Sequence, residues 1–209
     1  MIYSFDKRVE TGLNKFHYEL SDRNATFAIV SRNWDGDVFL YACKDFKNDF
    51  SIALRRKYHD TKQKDISALI CADCQINNIN IPVLYCIKKG TNIFNNEYYW
   101  EITYENQTYK CYEIGRGKEG TFYCIHRNEV TVAMLVKDPI SLHGENHYDC
   151  YAYDDIPLEV LTAFNIYFDV HKYSYGGRYE NKTLHTWQKW AKSKFDPDFI
   201  ETIRTNKTI

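Results

Sequence analysis

A chain of 209 residues with a formal net charge of −1 carries neither the basic excess of a general nucleic-acid binder nor the acidic excess of a solvating tail. Its length suits one large domain or two small ones, and a compact domain of this size buries roughly 70% of its unfolded surface without needing disulfides. Aromatic residues make up 16% of the chain, with 18 Tyr and 12 Phe against 9 Gly and 4 Pro, a balance that favours pleated, half-buried sheet surfaces.

The opening MIYSFDKRVETGLNKF has no apolar run of signal-peptide character, and no later segment reaches the roughly 20 apolar residues of a membrane span. The seven cysteines are odd in number and scattered among apolar residues, which fits reduced thiols in strands better than a disulfide framework. A cytoplasmic protein is the expectation.

Strand signals begin at ATFAIVSR and DVFLYACK, on either side of the turn NWDG. SIALRRKY, ISALICAD and IPVLYCIKK follow, and Pro82 confines the last to an edge or a strand start. YYWEITYE and TYKCYEI bracket Asn106 and Gln107; TFYCIH and EVTVAMLV bracket Arg127 and Asn128. YDCYAYD is the last strand before 156-IPLEVLTAFNIYFDV-170.

That segment is predicted to be a helix greasy on nearly every side. Asp155 is placed to cap it, Pro157 tolerates its first turn, and Glu159 suits the positive end of its dipole. Only Glu159, Thr162, Asn165 and Asp169 form a narrow polar stripe, which must face an end, a gap or paired polar groups. About nine or ten strands before one enclosed helix predict a mainly β fold, a closed or nearly closed antiparallel barrel of about 10–12 strands around residues 156–170. The expected organisation is a barrel unit over 1–174 and an amphipathic helical tail over 175–209. In that tail Leu184, Trp187, Ala191 and Phe195 share a face, and Asp196-Pro197 stops the helix before a turn with Phe199, Ile200 and Ile203. Residues 178–209 hold seven basic and four acidic side chains. The face is expected to pack across an open end of the barrel; the alternative is a peripheral membrane anchor with Trp187 and Trp190 in the headgroups and Lys189, Lys192 and Lys194 facing anionic lipid.

The hairpins from YYWEITYE to YDCYAYDD, followed by DDIPLEVLTAFNIYFDV, resemble the tubby-like superfamily, which includes tubby C-terminal domains, LURP-one-related proteins and phospholipid scramblases. The resemblance is strongest over 98–170 and implies a barrel of about twelve strands around a hydrophobic helix. It also implies phosphoinositide binding, membrane tethering or lipid movement. The basic residues of tubby domains do not align and none is carried over, and the Pro-rich and cysteine-dense companions of scramblases are missing.

Four local patterns are candidates for chemistry. The stretch 114-IGRGKEG-120 is a literal G-x-G-x-x-G, but a strand follows it where a dinucleotide fold needs a helix, and the 72 residues after Lys137 are too few for a kinase lobe. Arg116 and Lys118 there can still offer charge to a phosphate, although a plain turn explains the glycines. The pair 71-CADC-74 lacks a second ligand pair, so core thiols are expected and no metal or cofactor is assigned. His143 and His147 stand four apart in a loop beside Glu145 and Asp149, an acid–base or metal alternative. Arg55, Arg56, Lys57, Lys88 and Lys89 sit at strand ends that could share a rim and converge on phosphate, or else guard a solvated edge. No catalytic constellation stands out. The expected function is a non-catalytic binding or tethering module for anionic headgroups or phosphate-bearing ligands. The alternatives are an enzyme acting on a phosphorylated small molecule and a protein-interaction or inhibitory partner.

Overall fold

The computed structural model of the chain describes residues 1–10, 15–22, 26–35, 38–45, 50–56, 68–88, 96–116, 119–138, 145–169 and 192–206. Among the described residues thirteen strands precede the first helix: β1 (Ile2–Glu10), β2 (Lys15–Ser21), β3 (Thr26–Asp35), β4 (Val38–Asp45), β5 (Phe50–Arg56), β6 (Ala68–Ile76), β7 (Ile79–Asn80), β8 (Val83–Lys88), β9 (Glu97–Tyr104), β10 (Gln107–Gly115), β11 (Thr121–Arg127), β12 (Val130–Lys137) and β13 (His147–Ala152). They form one antiparallel sheet in the order β5-β4-β3-β2-β1-β13-β12-β11-β10-β9-β8-β6-β7, with an additional pairing of β5 with β6. The first strand lies beside the last, Ile2 opposite Tyr151 and Asp6 opposite His147. Two of these strands, β1 and β2, precede the first one expected from the sequence.

Three tight hairpins explain why the strands follow one another so closely. In each turn both central residues have positive φ, at Asn77-Asn78, Glu105-Asn106 and Asn128-Glu129. Such turns match the twist of the strands they join, and asparagine tolerates the left-handed region better than most residues. Two turns expected at Asn106-Gln107 and Arg127-Asn128 thus lie one residue away, while of the expected turn NWDG the residues Asn33, Trp34 and Asp35 belong to β3 and Gly36 lies outside the described residues. Pro82, which has no amide to donate, directly precedes β8.

Strand alternation sends side chains to two cores. On one face Tyr3, Phe5, Tyr18, Leu20, Cys111, Tyr123, Ile125, Leu135 and Cys150 surround α1 (Leu158–Phe168), in which every residue from Val160 to Phe168 is buried. On the other, Tyr112, Ile114, Phe122, Cys124, Met134 and Tyr151 meet Phe199 and Ile203 of α2 (Phe199–Asn206). The helix expected over 156–170 is therefore present and enclosed as its all-round apolarity requires. Its start differs: Pro157 stands at the cap position with no side-chain hydrogen bond, and Asp155 is two residues too early. The Asp155 carboxylate instead pairs with Arg127 at 2.5 Å.

Asp196-Pro197 does stop one turn and open α2, where Asp196 Oδ1 accepts from the Asp198 amide at 3.0 Å. The described part of the tail lies on the outer face of β10–β13, where Phe195 packs edge-on against Phe122 at 5.2 Å and Phe199 against Tyr153 at 5.4 Å. Leu184, Trp187, Lys189, Trp190 and Ala191 lie outside the described residues. Lys194, which the anchor reading turned toward lipid, is pinned to Glu129 at 2.6 Å.

Phe164 is fully buried on α1 and parallel to Phe168 with centroids 6.2 Å apart. Phe164→Asp is expected to cost several kcal/mol out of a typical total of about 5–15, because it buries an unpaired carboxylate. Thermal and denaturant melts check this; a variant that melts like the parent would contradict the enclosed helix.

Candidate functional site

The polar stripe of α1 ends in a charge clamp. Asp169, at the helix C-terminus and fully buried, accepts from Lys7 Nζ at 3.0 Å and Tyr18 OH at 2.8 Å on one oxygen. On the other it accepts from Asn146 Nδ2 at 2.6 Å and Tyr148 OH at 3.2 Å. A carboxylate at the negative end of a helix dipole is doubly unfavourable, so the buried ammonium of Lys7 compensates both the side chain and the helix. Lys137 adds a second buried ammonium nearby. Burial pushes it down to about 8, Asp169 and Asp138 pull it up, and Lys7 pushes it down again. Higher on the stripe, Thr162 and Asn165 are buried with side-chain polar atoms that find no hydrogen-bond partner among the described residues. The firm polar contacts of the stripe are therefore concentrated at Asp169.

This clamp sits at one end of the sheet, and the register fixes what else is there. Val38 opposes Arg55, Ala72 opposes Arg56, Ala68 opposes Cys86 and Lys88 opposes Glu97. Gly115 then opposes Thr121, which opposes Lys137, which opposes Tyr148. The ends of β5, β8, β10 and β12 consequently share one rim with the starts of β6, β9, β11 and β13. Arg55, Arg56, Lys88, Arg116 and His147 all fall on that rim, as does Asp169 beneath it. Adjacent strands are about 4.8 Å apart, so β5, β8 and β10 are spaced along an arc of about 20 Å.

The rim residues differ in how their charge is used. Lys88 is exposed and 3.6 Å from Glu97. Arg116 pairs with Glu119 at 2.7 Å and lays its guanidinium on Phe195 at 4.6 Å, so it serves the tail contact. The backbones of Arg55 and Arg56 are placed by strand pairing, while Lys57, Lys89, Lys118 and His143 lie outside the described residues. The glycine-rich turn joins two strands, β10 and β11, so the helix needed to receive a pyrophosphate is not there. In the CADC pair, Cys74 is buried on β6 and burial pushes its thiol up to about 12, the behaviour of a core thiol and not of a metal-ready thiolate.

His147 is placed on the outer face of β13, between Asp6 and Asp149. Its Nε2 is 3.3 Å from Asp149 and its Nδ1 is 2.8 Å from Asp6. These two carboxylates, Asp149 first, raise the imidazole to about 10 against the opposing effect of burial. The same contact with His147 holds the Asp6 carboxyl below its ordinary value. A ring protonated at neutral pH cannot accept a proton as a general base or bind a metal ion there, but as an imidazolium it keeps a proton to give. Among the described residues no group of three His, Cys, Asp or Glu side chains could hold a metal ion.

The sequence singled out Asp169 as polar but not Lys7, Lys137, Asn146 or Tyr18 as its surroundings. A signal existed: Tyr3, Phe5 and Lys7 alternate on one face of IYSFDKRVE, and Leu135 and Lys137 continue the same alternation on β12. No protein-family model matches the chain, and neither a curated protein nor a solved structure does. Among the described residues no helix is long and apolar enough to cross a membrane.

The imidazolium contribution of His147 is complete below its ordinary 6.5 and disappears as pH rises through about 10, because the folded state holds the proton more tightly. His147→Gln is therefore expected to lower the melting temperature at about pH 6 and to lose that effect as pH approaches about 10.5. An equal deficit at both pH values would contradict the double ion pair.

Proposed function

We propose that the chain is a non-catalytic binding module of tubby-like architecture, a barrel filled by α1 whose rim docks on an anionic, phosphate-bearing surface. The observation that carries this reading is the strand register, which gathers Arg55, Arg56 and Lys88 at the rim above Asp169, with Arg116, already paired with Glu119, at the end of the same arc. The barrel itself is supported by the β5–β6 pairing, reinforced where Asn77 donates its amide to Ser51 O and accepts the Ser51 amide on Oδ1, both at 2.9 Å. An arc of about 20 Å is too long for one phosphate and suits several anionic groups at once, as on a headgroup layer. A rigid scaffold matters for such a task, because charges held in place lose less freedom on binding.

The test is co-sedimentation with vesicles of neutral lipid alone and with a fraction of anionic phosphoinositide. Binding to the anionic vesicles is expected to weaken as salt rises, since the Debye length falls from about 10 Å at 0.1 M to about 3 Å at 1 M. Arg55→Ala with Arg56→Ala is expected to reduce it about tenfold or more, given roughly 1 kcal/mol for each basic residue near an anionic membrane surface. Competition by soluble inositol polyphosphate separates a headgroup site from a surface effect. Equal sedimentation with both vesicle types, or an unaffected double variant, would overturn the proposal.

A further inference from the structure

We propose that residues 192–206 form a strap that covers the outer face of β10–β13 at neutral pH and lifts from it on acidification, with the His126 imidazole as the group that releases it. The strap is attached at separate points. Phe199 and Ile203 are its two buried side chains in α2, over Tyr112, Cys124, Met134 and Tyr151. Arg204 donates to Tyr151 OH at 3.0 Å, and Phe195 lies under the Arg116 guanidinium. At its start, Lys194 bonds Glu129 at 2.6 Å while Lys110 grips the other oxygen of the same carboxylate at 2.7 Å. Glu129 has φ 63°, at a hairpin turn position that suits Gly or Asn better. Only two buried side chains over eight residues make α2 one of the weakly held elements, the kind that opens locally before the sheet does.

His126 sits where strap and sheet meet. It is buried on the outer face of β11, edge-on to Tyr112 at 5.0 Å, with Nε2 at 2.9 Å from the Lys194 carbonyl and 3.3 Å from Thr131 Oγ1. The tautomer that donates from Nε2 to that carbonyl leaves Nδ1 unprotonated, and Nδ1 has no hydrogen-bond partner among the described residues. Protonation would therefore put an N–H and a positive charge into a buried position beside the Lys194 ammonium. The charged and titratable groups facing the ring are Lys194 from the strap, Glu129 from the β11–β12 turn and Tyr112 from β10, with Lys110 acting through Glu129. Burial, first, and Lys194 lower the imidazole from 6.5, while the Lys194 and Glu129 backbone groups and the Glu129 carboxylate oppose them. A group whose proton is held more weakly when docked favours docking fully above 6.5, and that preference is lost as pH falls below it. Glu129 does not share this range, because Lys110 and Lys194 hold its carboxyl at about 2.

Cys124 reports the event, since it lies fully buried in the outer cluster under the strap, whereas Cys150 is buried in the inner core. Labelling with an acid-active disulfide reagent, read residue by residue by mass spectrometry, is expected to run faster at Cys124 at about pH 5.5 than at about pH 7.5, by about threefold or more, because protonation of His126 favours the lifted strap. Cys150 should stay protected at both. His126→Gln can still donate to the Lys194 carbonyl but does not titrate, so it should remove the acceleration while keeping the neutral-pH protection. Unchanged Cys124 labelling in the parent, equal acceleration in His126→Gln, or simultaneous exposure of Cys150 would each overturn the strap.

Discussion

The Asp169 carboxylate and the Lys7 ammonium, 3.0 Å apart and buried, are the contact on which the arrangement depends. A helix that is apolar all round could slide or rotate inside an apolar cavity at little cost, because dispersion and burial are not directional. One carboxylate at its C-terminus, answered by donors from β1, β2, β13 and the residue before β13, allows a single axial position and rotation. The same contacts tie the first strands of the chain to the last. Removing one partner of such a pair leaves a buried charge, which is far costlier than removing both.

From this clamp follows a division of the sheet into two faces with different tasks. The inner face is committed to α1 and, at the rim, to the polar groups around Asp169. The outer face of β10–β13 is covered by a short helix with two buried side chains, tied down by the Arg204–Tyr151 hydrogen bond and by the Lys194–Glu129 ion pair just before it. The inner contacts span nearly the whole chain, since Tyr18 and Asp169 are 151 residues apart, and they cannot open without unfolding. The outer ones can. Positive charge sorts the same way, because Lys7 and Lys137 are locked inside while Lys88 faces solvent at the rim and Arg116 is drawn into the tail contact.

Much of this was legible in the residues. All-round apolarity placed the segment near 160 in an enclosed helix, and turn-forming Asn residues located the later hairpins to within one position. β1 and β2 escaped notice because Asp6, Lys7 and Arg8 interrupt the apolar pattern of IYSFDKRVE. Lys7 points inward for the sake of Asp169, a partner 162 residues away that no local pattern announces. Asp155 does not act as the expected cap for a related reason: its carboxylate has a partner in Arg127. The pairing of His147 with Asp6 also depends on β1 lying beside β13, so spacing within SLHGENHYD could not reveal it.

A double-mutant cycle on the clamp tests the account most directly, with Lys7→Met, Asp169→Leu and the two combined, each measured by chemical denaturation. The account predicts about 3–5 kcal/mol lost in Lys7→Met and substantial recovery in the double variant, giving a coupling of roughly 2 kcal/mol or more. Additive losses, with the double variant as unstable as the two single variants together, would contradict the claim that this ion pair positions the helix.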